Sequence, residues 1–186
     1  MATPARKIRC TVEEVLAIPW DGNLREVING ELFVTPAPIL LHERAVRLLS
    51  ELLQPYARAV AAEMFGAPAD IVLTPETLVQ PDIFVVPRQK GVRLTAWEQV
   101  KALLLTVEVI SPKTARRDRT VKRDYYQARG VPEYWIVDNN ARMVERWRPH
   151  STDAEVVRGI LVWHPVPEHP PLTIDLVEFF RTVFDE

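Results

Sequence analysis

The run LLLTVEVISP, residues 103–112, constrains the fold more than any other segment. Most of its residues are aliphatic, which predicts a short strand covered on both faces, as in the central strands of α/β sheets. Glu108 is the exception. Because an unpaired carboxylate in a dry interior costs several kcal/mol, we expect Glu108 to meet a cation, to have a shifted pKa, or to lie where the strand opens to water.

Length and composition are those of an ordinary globular protein. The chain has 186 residues, 47% hydrophobic and 26% charged, so we expect residues 1–186 to form a single domain. No apolar run approaches the roughly 20 residues of a membrane span, and the first residues lack the apolar core of a signal peptide, so we expect a cytoplasmic protein. The single Cys10 excludes an internal disulfide and a cysteine zinc cluster, so a metal must bind through oxygen or histidine.

Positive charge is concentrated directly after the apolar strand, although the formal net charge of the chain is only -2. Between residues 113 and 123, one acidic residue, Asp118, stands among the basic residues Lys113, Arg116, Arg117, Arg119, Lys122 and Arg123. Such a cluster is commonly a solvated surface. Its position beside the Glu108 strand makes a binding site the alternative.

Apolar periodicity and turn residues predict alternating helices and strands. Thr11 and Glu14 have capping-box spacing, and Asn29-Gly30 is the strongest short hairpin signal. The predicted order is a helix from Thr11 to Pro19, a hairpin around Asn29-Gly30, a long helix from Leu40 to about Glu63 that Pro55 kinks or ends, strands at 71–73 and 78–86, a helical turn at 95–102, the strand at 103, a helix from an Asp118 N-cap to Gly130, a strand pair within 133–148, and a helix at 174–184.

Two acids lie on strands that we expect to be neighbours. Asp82 follows Pro81, and Glu108 lies in the apolar run. Carboxylates at the ends of adjacent strands can share a divalent ion, because Mg²⁺ is bound through one or two carboxylates together with water and phosphate oxygens. A metal would balance the charge of Glu108. The alternatives to a metal site are a salt bridge between Glu108 and one of the following arginines, or a strand end that is open to solvent.

Lys122 is a third candidate for this site. On a helix that starts near Asp118 it follows the core-facing Val121, so its ammonium can reach the end of the Glu108 strand. A lysine beside metal-bound carboxylates can orient or deprotonate a water and stabilise developing charge. The alternative is a surface lysine in an i,i+4 pair with Asp118.

Several motifs occur together in a recognisable order. They are NGEL at 29–32, PDIFVV at 81–86, VEVISPKT at 107–114, the D-x-x-x-K spacing of Asp118 and Lys122, and YYQARGVPEYWIVD at 125–138. In this order and spacing they resemble the Uma-type putative restriction endonuclease family, a branch of the PD-(D/E)xK nuclease superfamily. The resemblance extends over most of the chain.

The resemblance implies an α/β fold with a restriction-endonuclease-like core, in which helices flank a mixed central sheet and an N-terminal helix and β-hairpin precede it. It also implies a Mg²⁺- or Mn²⁺-dependent endonuclease that acts on nucleic acid, with DNA as the expected substrate. A homodimer is expected because two sites suit the cutting of two strands. The alternative is a nuclease-fold protein with little or no catalysis that serves as a nucleic-acid-binding or oligomeric module.

By position, Asp82 and Glu108 match the two metal-binding acids of the superfamily. The superfamily lysine follows the second acid by two residues, where this chain has Ile110. Lys122 matches a lysine displaced to the helix, and we favour it over Lys113 because a helix fixes an ammonium better than a loop does.

Further candidates surround this motif. Glu31 matches the GEL segment and could be an additional acid, although an exposed strand residue is the alternative. His42 resembles a histidine at the start of the long helix that could contact phosphate or water. We expect the basic residues after the strand to hold flanking phosphates in a sequence-independent and salt-dependent way: Lys113, Arg116, Arg117 and Arg119.

Overall fold

The computed structural model of the chain describes residues 9–88 and 91–186. The helices are α1 (Val12–Leu16), α2 (Leu40–Ala59), α3 (Ala115–Arg117), α4 (Arg123–Ala128) and α5 (Leu176–Phe184), with a 3₁₀ turn at Trp97–Gln99 and a π turn at Asp118–Lys122. The strands are β1 (Leu24–Ile28), β2 (Glu31–Thr35), β3 (Ala62–Gly66), β4 (Ile71–Thr74), β5 (Thr77–Val79), β6 (Ile83–Pro87), β7 (Leu105–Val109), β8 (Tyr134–Asp138), β9 (Met143–Trp147), β10 (Glu155–Val157), β11 (Ile160–Trp163) and β12 (Leu172–Asp175).

A mixed six-stranded sheet forms the centre, in the order β10-β9-β8-β7-β6-β3. Strands β7 and β8 are parallel, whereas the other neighbours in this sheet are antiparallel. A four-stranded sheet, β2-β1-β5-β4, and the two-stranded sheet of β11 and β12 accompany it. The predicted α/β class, the mixed central sheet and the N-terminal helix and hairpin are therefore confirmed.

The central sheet is covered on both faces. Leu49 of α2 and Phe180 of α5 share one apolar cluster with Val107, whereas Tyr126 of α4 shares a second cluster with Phe84 and with Ile28 of the hairpin. All five residues of β7 are buried, as the apolar run predicted. Because side chains alternate along a strand, Val107 and Glu108 point to opposite faces of the sheet.

Several predicted elements keep their place with changed bounds. The hairpin turn has Asn29 at φ 51° and Gly30 at φ 78°, which is the left-handed geometry that this pair favours. The predicted strand at 78–86 is wrong as a single element, because β5 and β6 belong to different sheets on either side of Pro81. Proline cannot donate to a ladder, which explains the break there.

The long helix continues through Pro55 and ends at Ala59, so its predicted extension to Glu63 is wrong. Residues 62–66 instead form β3 at the edge of the central sheet. The last helix begins at Leu176, since the Asp175 side chain caps it and accepts from the Val177 N–H. Strands β10, β11 and β12 were not predicted. Within the described part of the chain, none of the helices could cross a bilayer.

Candidate active site

Asp82 and Glu108 lie side by side. Strands β6 and β7 are antiparallel with Ile83 opposite Val107, so Asp82, which directly precedes β6, lies opposite Glu108 on the same face of the sheet. The Val109 N–H donates to Oδ2 of Asp82 at 2.7 Å. This hydrogen bond fixes the Asp82 carboxylate against the end of β7, where the sequence analysis expected the two acids to converge.

Lys122 is buried between carboxylates. Its Nζ lies 2.8 Å from Oε1 of Glu108 and 2.7 Å from Oε1 of Glu26, and its side chain is only 1% exposed. The Asp118 carboxylate is farther away, at 3.9 Å. The structure therefore brings Lys122 to Glu108 and not to the surface, whereas the side chain of Lys113 is exposed on the turn after β7.

The helix that carries Lys122 has an unusual turn. Residues 115–128, which we call the split helix, consist of α3, the π turn and α4. A π turn is rare and occurs frequently at functional sites, since its wider turn redirects side chains. Here it begins at Asp118 and ends at Lys122, and both residues are buried. The Tyr134 hydroxyl donates to the Asp118 carbonyl at 3.0 Å and braces this turn from β8.

The predicted N-cap role of Asp118 is wrong, because the split helix already begins at Ala115. The Asp118 carboxylate instead accepts from Nε of Arg117 at 3.2 Å. This places a third acid beside Lys122, on the helix and not on a strand.

Glu26 is a site residue that the sequence analysis missed. It lies on β1 with 3% of its surface exposed, accepts from the Gln80 N–H at 2.8 Å, and pairs with Arg117 at 3.2 Å as well as with Lys122. The available signal was the same as for Glu108: a carboxylate beside buried Val27 and Ile28. Glu31, which the GEL motif favoured, lies partly exposed on β2.

We call these residues the carboxylate cluster: Glu26, Asp82, Glu108, Asp118, Arg117 and Lys122. Four carboxylates and two cations leave it with a formal charge of −2. Burial raises the pKa of Glu108 well above its usual value; Lys122 opposes this shift, and the charges of Asp82, Asp118 and Glu26 add to it. For Lys122, burial lowers the pKa, but Glu108, Glu26 and Asp118 raise it above the usual range for lysine. The cluster therefore holds more negative charge than its own cations balance.

His42 lies at the more accessible end of the cluster. Its Nε2 is 3.1 Å from Oδ2 of Asp82, and the two side chains are 15% and 13% exposed. Burial lowers the pKa of His42, but the hydrogen bond and charge of Asp82 raise it above its ordinary value overall. Because Glu108 and Lys122 are nearly inaccessible, a substrate would reach the cluster on the side of Asp82 and His42.

The four predicted phosphate-binding residues fall into two groups. Arg117 pairs with Glu26 and Asp118, and Arg119 pairs with Glu145 and Asp138. The side chains of Lys113 and Arg116 are exposed on the turn after β7 and the first turn of the split helix. Of the four, Lys113 and Arg116 are therefore the two whose side chains are exposed to solvent.

The donor set fits some metals and not others. Among residues 9–88 and 91–186, no three His, Cys, Asp or Glu side chains are arranged as a ready-made metal site. A tetrahedral zinc site, which takes most of its ligands from protein, is therefore not supported by these side chains. Mg²⁺ keeps several waters and needs only one or two carboxylates, so Asp82 and Glu108 fit Mg²⁺ or Mn²⁺ with water and phosphate oxygens as the remaining ligands.

Comparisons with known proteins identify the family and the fold of the chain. A family model described as Uma2, putative restriction endonuclease, matches residues 12–177. The crystal structure of a putative nuclease belonging to DUF820 from Anabaena variabilis has the same fold, with a TM-score of 0.72 and 20% sequence identity over 94% of this chain and 99% of that chain. No curated protein shows significant similarity to the chain. The family match confirms the resemblance inferred from the motifs.

Proposed function

The chain belongs to the Uma2 family of putative restriction endonucleases, and from this premise we propose that it is a metal-dependent endonuclease that hydrolyses phosphodiester bonds in DNA. The observation that supports this most directly is the position of Lys122, whose buried Nζ lies 2.8 Å from Oε1 of Glu108. Glu108 in turn lies opposite Asp82, which precedes the adjacent strand β6. The excess negative charge of the carboxylate cluster supports a divalent cation as its ligand.

Asp82 and Glu108 would hold Mg²⁺ or Mn²⁺, and the bound ion would supply positive charge at a phosphate oxygen and at the attacking water. The Val109 N–H and His42 orient Asp82, since both contact Oδ2. Lys122 orients Glu108 in the same way. The metal ligands are thus held by backbone and side-chain contacts from three different elements.

Lys122 acts as a charge and a hydrogen-bond donor in this proposal. Its neighbouring carboxylates raise its pKa, so it stays protonated at neutral pH and cannot accept a proton from water. Two of its N–H groups face Glu108 and Glu26, so its buried charge would act on the reaction through the carboxylate of Glu108 that it contacts. We therefore assign it the stabilisation of charge, and not the role of a general base.

Substrate phosphates on either side of the cleaved bond would contact Lys113 and Arg116. Both side chains are exposed next to the cluster, whereas Arg117 and Arg119 are engaged by carboxylates. Such contacts are independent of sequence and weaken with added salt.

A second candidate function is a nucleic-acid-binding module with little catalysis. The specific observation in its favour is that Lys122 already contacts two carboxylates, at 2.7 and 2.8 Å, in a cluster that is nearly closed to solvent. Such a set of ion pairs can also serve a structural role. Binding of DNA that does not depend on divalent metal, with no cleavage, would distinguish this function from an endonuclease.

The test is calorimetric titration of Mn²⁺ into wild type and the variants Asp82→Asn, Glu108→Gln and Lys122→Ala, with plasmid nicking measured on the same samples. The matched control is Asp124→Asn, which removes an exposed carboxylate from the same helix. We expect Asp82→Asn and Glu108→Gln each to abolish metal binding. We expect all three variants to lose nicking activity. Metal binding and nicking at wild-type levels in Glu108→Gln would refute the proposed site.

A further inference from the structure

A crevice of about 380 Å³ lies beside the carboxylate cluster, at the ends of the parallel strands β7 and β8. Its walls come from the turn after β7, the split helix and the turn after β8. The residues that matter here are Ile110, Ser111, Arg119, Asp138 and Asn140. Ligands of open α/β sheets bind at this end of parallel strands, so the position is suited to a binding site.

The crevice is close to the proposed reaction centre. Ile110 follows Glu108 by two residues, which is about 7 Å along a strand. Arg119 precedes Lys122 by three residues, which is about 5 Å along a helix. A group in this crevice would therefore be a direct neighbour of a phosphodiester bound at Asp82 and Glu108.

Among the described residues, the lining of the crevice offers no free cation to a phosphate. Arg119 is the one cation of that described lining, and it lies 2.9 Å from Oδ2 of Asp138 and 2.6 Å from Oε1 of Glu145, so its guanidinium is already engaged by two carboxylates. The exposed cations Lys113 and Arg116 lie instead on the segment that passes this crevice. We expect these two cations to hold the backbone phosphates outside the crevice. The crevice would then receive an uncharged part of the substrate.

The polar groups of the lining suit the edge of a nucleobase. Asn140 has an exposed side-chain amide, which offers both donors and acceptors, and Ser111 adds a hydroxyl. Asp138 adds a carboxylate that accepts from an amino group, as acidic side chains do with cytosine. Thymine has no exocyclic amino group, and its one donor on that edge, N3–H, lies between two carbonyl oxygens that would face this carboxylate.

We propose that this crevice receives the nucleobase adjacent to the cleaved phosphodiester bond, and that Asn140 and Asp138 favour a base with an exocyclic amino group over thymine. The inference rests on the proposed function. It identifies Asn140 as a specificity-determining residue that is separate from the metal ligands and from Lys122.

The test uses the full-length protein in two assays. In the first, a DNA library with a randomised centre, in single-stranded and duplex form, is cut in Mg²⁺ or Mn²⁺, and the cut ends are sequenced. In the second, fluorescein-labelled decamers of deoxycytidine and of thymidine are bound in Ca²⁺, and their anisotropy is measured. The variants are Asn140→Ala and Asp138→Asn, and the control is Gln54→Ala, which removes an exposed amide on α2.

We expect the wild type to disfavour thymine next to the cut by about 5-fold or more, and Asn140→Ala, but not Gln54→Ala, to reduce this ratio. Cutting without a base preference, or a preference that both variants retain, overturns the inference and leaves the endonuclease intact. A third outcome is that no DNA is cut, but the wild type binds the deoxycytidine decamer more tightly than the thymidine decamer and Asn140→Ala loses this preference. That outcome refutes the endonuclease function and supports the base-binding role of the crevice. Equal or absent binding of both decamers without cutting overturns both.

Discussion

Replacing Lys122 by Met tests the carboxylate cluster most directly. The change keeps a long unbranched side chain and removes the ammonium that contacts Glu108 and Glu26. Removal of one partner of a buried ion pair leaves the other charge uncompensated, which costs about 3–5 kcal/mol. For a chain of this size, that corresponds to a melting temperature lower by roughly 6–20 °C.

The loss should depend on pH in a defined direction. Burial and the neighbouring carboxylates already raise the pKa of Glu108, and Lys122 opposes this shift. In the variant the pKa of Glu108 in the folded state rises further. Above pH 4.5, the ordinary pKa of this group, the unfolded state has released the proton that the folded state still binds. The free energy of unfolding then falls as pH rises above that value. Because the pKa of Glu108 is already raised in the wild type, the deficit grows only as pH rises through that raised value and shrinks below it, where Glu108 is protonated in both proteins.

The assay is urea unfolding of wild type and Lys122→Met between pH 4.5 and 8, with the exposed Lys101→Met as control. In the wild type the contribution of Lys122 is complete below pH 10.5 and is lost only as pH rises through its raised folded pKa, so the measured range lies within its plateau. A deficit below about 1 kcal/mol throughout this range would refute the burial of Lys122 among carboxylates.

Three further predictions follow from individual positions. Glu26→Gln should slow plasmid nicking by at least about 10-fold because it removes a charged partner of Lys122. The control Glu31→Gln should leave the nicking rate within about 2-fold of wild type, and equal effects of the two changes would contradict the assignment of Glu26 to the site. Lys113→Ala and Arg116→Ala should each reduce the slope of log affinity against log salt by about one, and unchanged slopes would remove them from the DNA contact. Gly30→Ala should lower the free energy of unfolding by about 1–2 kcal/mol, measured in urea, because Gly30 has φ 78°.

Local signals predicted the elements whose conformation is decided locally. Asn29-Gly30 gave the hairpin because both residues adopt positive φ at low cost. The end of α2 shows the opposite case. Ala61 has φ 54° just beyond this helix, a conformation in which glycine is usual, so no residue there signalled the end. The apolar pattern alone therefore extended the helix into β3.

The candidate site was predicted in part for the same reason. Glu108 stood out because its strand is apolar on both sides, and Asp82 and Lys122 were recognised through the family motifs. Glu26 carried a similar local signal, a carboxylate beside Val27 and Ile28, but its contact with Lys122 depends on how the four-stranded sheet packs against the central sheet. Likewise, nothing in the spacing of Asp118 and Lys122 distinguishes a π turn from an α turn. The structure has a π turn here, and both Asp118 and Lys122 are buried in it.

The cluster makes little sense as a device for stability alone. Two cations need two carboxylates, yet three are buried together and Asp82 lies beside them, and the pKa of Glu108 is raised by its burial and by the charges of the other three. Apolar residues of similar volume would hold these elements together at lower cost. The same surroundings that disfavour an ionised Glu108 strengthen its attraction for a divalent cation, since few water dipoles are near enough to screen it. We therefore interpret the instability of the free cluster as the source of the metal affinity that we propose for it.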